Sequence, residues 1–203
     1  KGFFKYNVKL NLDKLRNTLR TTLIDIWEYV IPIWKISGLF KRIKSKKDLE
    51  NFIQERSAHV AQTTLYGYLK TRIGVKYIAM MEDEVFLKSI NIAKWNIYVV
   101  ALADCAFYVF SYLMSEKNLK ENDCKEIFLN ILENEKKNGL SNEIFDRGKK
   151  NFLERLNRVN FSNYHLNDPF KESGQALYYW SPIADELKSL DKKIVLNSIH
   201  LKW

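Results

Sequence analysis

Glycine and proline are both scarce in this chain, at 7 and 3 of 203 residues. An all-β domain of this size needs many tight turns and draws on both residues. The scarcity excludes that class and leaves long helices with few breaks. Cysteine is scarcer still, at 2. Cys105 lies inside an apolar run, Cys124 falls on the apolar face of a later helix, and neither belongs to a C-x-x-C pair. The spacing supports no disulfide framework and no zinc or redox motif. Both residues read as buried thiols in a reducing intracellular compartment. Nucleotide-binding glycine motifs (G-x-x-x-x-G-K-S/T and G-x-G-x-x-G) and the G-x-S-x-G elbow of serine hydrolases are missing as well. The sequence shows no internal repeat and no low-complexity segment. Its first residues, from Lys1, lack the apolar stretch of a secretory signal, so no signal peptide is expected.

What is present is apolar and basic. Hydrophobic residues make up 46% and aromatics 14%, enough for a substantial core. The length suits one domain, or one domain with an added arm. The net charge is +9, and the pI of about 9.4 favours acidic partners: nucleic acid, anionic lipid or an acidic protein.

Periodicity supplies the elements. Leu12, Leu15, Leu19, Leu23, Ile26, Trp27 and Val30 recur at three- and four-residue steps, predicting a first long helix that Pro32 ends or kinks. Trp34, Ile36, Leu39 and Phe40 follow, then five basic residues in seven: Lys41, Arg42, Lys44, Lys46 and Lys47. An aromatic stretch beside such a cluster has the pattern of a membrane-surface anchor. It equally suits a core helix whose last turn carries cations toward the negative end of its dipole.

Ser45 and Asp48 form a capping-box start for a helix running to Gly74. Glu82, Asp83 and Glu84 suit the first turn of another helix. Trp95 to Met114 is the most apolar stretch, about 20 residues and long enough to cross a bilayer. Asp104 near its centre argues against lipid exposure and for the middle of a bundle. Cys124, Ile127, Phe128, Ile131 and Leu132 mark a helix ending at Gly139, with Leu140 placed for a Schellman contact. Ile144, Phe145, Gly148, Phe152, Leu156 and Val159 mark the next. The stretch from Asn160 to Pro169 reads as a loop. A last helix is expected with Ser181 as N-cap, Pro182 in its first position, Asp185 and Glu186 near its positive end, and Ile183, Leu187, Leu190 and Ile194 as its buried stripe. Tyr178, Tyr179 and Trp180 are expected to pack beneath it. The prediction is an all-α single bundle of about six to seven helices around a central apolar helix, with an N-terminal helical arm over 1–44 and a helical core over 45–203.

One segment stands out for chemistry. On the helix after Ser45, the residues Glu55, His59, Gln62 and Tyr66 line one face, with Arg56, Thr63 and Gly67 on the adjacent strip. Polar groups on one face are costly to bury unless they bond one another. They read either as a structural network, in which Gly67 permits close helix approach, or as a site in which Glu55 orients His59 as base or ligand. Glu-x-x-x-His departs from the Glu-x-x-His of di-iron bundles and occurs once, so neither a metal nor a cofactor is expected. His59, His165 and His200 are the only histidines a triad could use, and Ser57 points away from His59 on a helix. The aromatics mostly fall at core spacing rather than as a base-stacking platform.

The stretches Glu55-Arg56-Ser57-Ala58-His59-Val60-Ala61-Gln62-Thr63-Thr64-Leu65-Tyr66-Gly67-Tyr68, Ser89-Ile90-Asn91-Ile92-Ala93-Lys94-Trp95 and Trp180-Ser181-Pro182-Ile183-Ala184-Asp185-Glu186-Leu187-Lys188 resemble a small family of alphaproteobacterial helical proteins. The similarity spans roughly Leu39 to Trp203. It implies a bacterial cytoplasmic protein or a mitochondrial one of that ancestry, with membrane association open. Some members carry an esterase label, but this chain lacks the motif such a label needs, and the resemblance supplies no catalytic residue.

The expectation is a non-catalytic helical interaction protein, an accessory subunit of a larger assembly. Its contact residues would be Trp27, Trp34, Lys41, Arg42, Lys44, Lys46 and Lys47, with peripheral membrane contact open. The alternatives are a small hydrolase with a site at Glu55, His59, Tyr66 and Asp104, and an RNA-binding protein.

Overall fold

The computed structural model describes residues 43–116, 119–199 and 202–203. The unit they form, Ile43–Trp203, is all-α, with no strand among the described residues. The expected arm over 1–44, with Trp27, Trp34, Lys41 and Arg42, lies outside the described residues except for Ile43 and Lys44.

Helix α1, Lys46–Ile73, starts as its sequence dictates. Ser45 Oγ accepts from the Asp48 amide at 3.1 Å, and Asp48 accepts in return from the Ser45 amide at 3.0 Å. This reciprocal cap satisfies two amides that the first turn leaves without helical partners. Gly74 ends the helix at φ 60°. A short helix α2, Tyr77–Met80, leads to α3, Glu84–Glu116. Asp83 begins α3 by accepting from the amides of Val85 and Phe86 at 2.7 and 3.1 Å. The central helix therefore starts well before Trp95.

Helix α3 is the axis of the bundle. Ile90, Ala93, Ile97, Ala101, Leu102, Ala106, Phe107 and Phe110 are buried along it. The alanines let neighbouring backbones approach. By length and composition Glu84–Met114 could cross a membrane, but 72% of its most apolar window is buried within the bundle. A helix apolar on nearly every side is what a central position demands.

Helix α4, Glu121–Lys137, closes with the Schellman pattern expected at Gly139. The amide of Leu140 donates to Glu135 O, that of Gly139 donates to Lys136 O, and Gly139 takes φ 103°. Helix α5, Asn142–Leu156, is capped by Ser141. Phe107 of α3, Phe152 of α5 and Phe128 of α4 form one stack, with centroids 5.0 and 3.8 Å apart and nearly parallel rings. Each contributes roughly 1.5–3 kcal/mol through burial.

The C-terminal third departs from the expectation. A helix not foreseen in the sequence, α6, occupies Lys171–Trp180. Ser181 is not an N-cap: its hydroxyl donates to Leu177 O and closes α6. In place of one long last helix there are two, α7 (Asp185–Leu190) and α8 (Lys192–Ser198), broken at Asp191. Of the stripe expected to be buried, Ile183 packs half-buried against the core, while Leu187, Leu190 and Ile194 face out, at 43%, 78% and 70% exposed. Lys188, Asp191, Val195 and Ile199 are buried instead. Tyr179 is also exposed, while Tyr178 and Trp180 are half-buried. Gly67, expected at a close helix approach, is exposed with open space around it. The close approach falls at Gly174, where a Cβ would strike the carbonyl oxygen of Leu196 as α6 crosses α8.

Candidate functional site

The buried charge of the central helix organises the polar interior. Asp104 is completely inaccessible. Its Oδ2 accepts from the Ser173 amide at 2.8 Å and from the Ser173 hydroxyl. Its Oδ1 accepts from the Arg155 guanidinium and shares the Tyr164 hydroxyl proton with Pro169 O, at 3.1 and 2.5 Å respectively. Ser173 is the third residue of α6, and Phe170 provides that helix with no side-chain cap. Asp104 thus reaches across from α3 to cap α6, its negative charge set against the positive end of the α6 dipole. Burial pushes its carboxyl above the usual range, and Arg155 and Ser173 pull it back. Burial also raises the Tyr164 phenol, reinforced by the charge of Asp104.

Arg155 bridges this cluster to the surface. Its guanidinium lies 5.0 Å from the Phe107 ring centroid, packed over the ring face, and also donates to Tyr164 Oη at 3.2 Å. Above it opens a cleft of about 320 Å³, lined by Phe107, Arg155, Arg158, Asn163, Tyr164 and Lys171 among others. Asp168 and Glu172 also line it and offset much of its positive charge. Asp104 lies beneath, with both oxygens engaged, and its bonds join α3, α5 and α6 to the loop before α6. The Asp104 cluster fastens helices, and the carboxylates that line the cleft itself are Asp168 and Glu172.

A second buried carboxylate does similar work. Glu135 accepts from Tyr98 Oη at 2.7 Å and from Gln54 Nε2 at 2.8 Å, while Asn138 donates to its other oxygen at 2.8 Å. It ties α4 to α1 and α3. The sequence carried a signal for it, because Glu135 continues the buried stripe through Phe128, Ile131 and Leu132 at steps of seven, four and three.

A serine and a histidine do meet, at a place the sequence did not indicate. Ser111 Oγ lies 2.7 Å from His165 Nδ1 and 2.6 Å from Phe161 O, and it accepts from the His165 amide at 3.1 Å. The single hydroxyl proton goes to the Phe161 carbonyl, so His165 acts as donor. Ser111 is 1% exposed. A buried hydroxyl with its proton directed at a carbonyl is a loop staple and not an activated nucleophile.

The four residues of the hydrolase reading are placed as follows. Glu55 is exposed. His59 is half-buried, and burial, Arg56 and Lys202 together hold its pKa below the ordinary 6.5. The charges that govern it are thus cations rather than Glu55. Tyr66 packs partly buried against the core. Asp104 belongs to the cluster with Arg155, Tyr164 and Ser173. Arg56 donates to the carbonyl oxygens of Lys202 and Trp203 at 2.7 and 2.8 Å. Among the described residues no group of three or more His, Cys, Asp or Glu is placed to hold a metal ion.

Of the expected basic contact residues within the described chain, Lys44, Lys46 and Lys47 are exposed. Lys46 pairs with Asp123 at 2.5 Å and Glu126 at 3.5 Å, and Lys47 with Glu50 at 2.5 Å. The Lys46 pairs join the start of α1 to α4, the Lys47 pair lies within α1, and together they reduce the free positive charge there. Apolar surface is more prominent elsewhere. Around the α1–α3 connection and the first turns of α3, Val75 is 97% exposed, Ile78 52%, Val85 73% and Ile92 52%. No family model, curated protein or solved structure matches the chain.

Proposed function

We propose that this chain is a non-catalytic helical interaction protein that serves as an accessory subunit of a larger assembly. The observation that carries the reading is the exposed apolar surface at the α1–α3 connection, led by Val75 and Val85. Apolar residues gathered at one connection and the helix start beside it mark a contact surface more often than scattered single exposures do. The polar interior points the same way. Asp104 and Glu135, the buried carboxylates best suited to acid–base work, hold helices together. The basic cluster expected at Lys41, Arg42 and Lys44 is proposed as a separate contact for an acidic partner. A reducing compartment, bacterial cytoplasmic or mitochondrial, suits two unpaired buried thiols.

The test is affinity purification of the full chain from its native cells under mild detergent, with mass spectrometry of what accompanies it. Stoichiometric proteins lost from a Val75→Asp/Val85→Asp variant with an unchanged circular dichroism spectrum support the reading. Recovery of the chain with no stoichiometric protein contradicts it. Charge reversal at Lys41, Arg42 and Lys44 that leaves every association intact removes the basic surface from the proposal.

A further inference from the structure

The cleft above Arg155 brings charges of both signs to one concave surface. It lies between the end of α5, the segment over 157–170 and the start of α6. Its volume of about 320 Å³ is at the lower end for ligand sites, which suits a small molecule. Arg155 forms the floor, and its guanidinium is fixed before any ligand arrives. Nη2 donates to Asp104 and to Tyr164 Oη, and the group packs over the Phe107 ring. Among the described residues nothing accepts from its Nε or Nη1, and 26% of the side chain stays exposed. A cation anchored by a fully buried carboxylate, with donors left over and a side open to a cleft, takes an anionic oxygen without reorganising.

The other charges in the cleft decide what kind of molecule that oxygen belongs to. Glu172 lines the same cleft, is exposed, and lies near enough for its charge to act on the Arg155 guanidinium. Asp168 lines it as well. A phosphate or a dicarboxylate seated on Arg155 would face these acids and be repelled. A plain cation would face Arg155, Arg158 and Lys171. A ligand that carries both charges close together meets each wall with the opposite sign. An α-amino acid does so, with its carboxylate and ammonium on one carbon. We infer that this cleft binds a free amino acid as its zwitterion, the carboxylate accepting from Arg155 Nη1 and the ammonium donating to Glu172. The amides of Asn163 and Asn167 line the same space and add neutral donors and acceptors. This inference does not depend on the apolar surface led by Val75 and Val85.

Isothermal titration of the full chain with each of the common L-amino acids in turn tests this. At least one is expected to bind with a dissociation constant in the millimolar range or tighter. Its amide, which lacks the carboxylate, and its deaminated acid, which lacks the ammonium, should each bind weaker by about tenfold or more. Glu172→Gln, at an exposed position and with an unchanged melting curve, should weaken the amino acid by about tenfold and leave the deaminated acid unaffected or improved. Arg155→Lys keeps a cation beside Asp104 but removes the guanidinium donors, and it should weaken the amino acid at least as much. Should Arg155→Lys fail to fold, Glu172→Gln and the two ligand derivatives still decide. Absence of binding across all the amino acids overturns the inference. So does a deaminated acid that binds as tightly as its parent, or binding indifferent to Glu172→Gln.

Discussion

Asp104 carries a charge into the driest part of the molecule, and the surrounding bonds explain why it is tolerated there. Three of them come from the α6 terminus and the loop before it, and the fourth comes from a cation. Asp104→Asn keeps the shape, removes the counter-charge of Arg155 and weakens the α6 cap. Breaking one partner of a buried pair costs about 3–5 kcal/mol, and urea unfolding of this variant should show a loss of that order. Arg155→Met should cost at least as much, because it strands the fully buried Asp104 carboxylate without its counter-charge. His59 gives a pH prediction. Its folded pKa lies below 6.5 because burial and the Arg56 and Lys202 charges disfavour the imidazolium. Between the folded value and 6.5 the unfolded chain binds the extra proton and the folded chain does not, so stability rises with pH there. The contribution is complete above pH 6.5 and is lost as pH falls toward the folded value. A His59→Gln variant should lack that slope; an unchanged slope would remove His59 as its source. Both thiols are buried, and burial pushes the Cys105 thiol up to about 12. Native protein should therefore leave both unreactive toward a thiol reagent at neutral pH, and unfolded protein should titrate two.

At the scale of the element, local chemistry is strong where it agrees with packing. The capping box at Ser45, the turn at Gly74 and the Schellman closure at Gly139 could all be read from the chain, because each rests on residues adjacent in sequence. Ser45→Ala should cost about 1 kcal/mol by thermal unfolding. Helix α6 could not be foreseen in the same way. Its cap is supplied by Asp104, 69 residues away in sequence, and its close approach is made possible by Gly174. Gly174→Ala is expected to push α6 from α8 and to cost about 1–3 kcal/mol, as overpacking does. Gly67→Ala, with open space around it, should be neutral or stabilising, since alanine is the better helix former. Helices α7 and α8 show the limit of periodicity. The spacing of Ile183, Leu187, Leu190 and Ile194 identified a stripe, but spacing cannot say which side of a stripe the chain itself covers. Arg72 and the Tyr178 ring hold Asp191 and Lys188 inward, Leu187, Leu190 and Ile194 turn out, and Ile183 stays against the core.

For the molecule as a whole, the all-α bundle around one apolar helix was legible because long amphipathic and apolar runs with few glycines and prolines admit little else. The site was legible only in part. Asp104 stood out as a lone charge in an apolar run, and Glu135 lay on a stripe that could have revealed it. Arg155, Tyr164 and Ser173 gave no local signal, since their roles depend on three-dimensional proximity across as many as 69 residues. His59 and Glu55 share a helix face, yet only the fold decides that cations surround the one and water the other. These placements turn the reading from chemistry toward contact. The central claim is that the apolar surface led by Val75 and Val85 binds other proteins of an assembly. The direct measurement is quantitative affinity purification from native cells, wild type beside Val75→Asp/Val85→Asp. The account predicts stoichiometric partners with the wild type and their loss from a folded variant. Partners equally abundant with both chains, or absent from both, would contradict it.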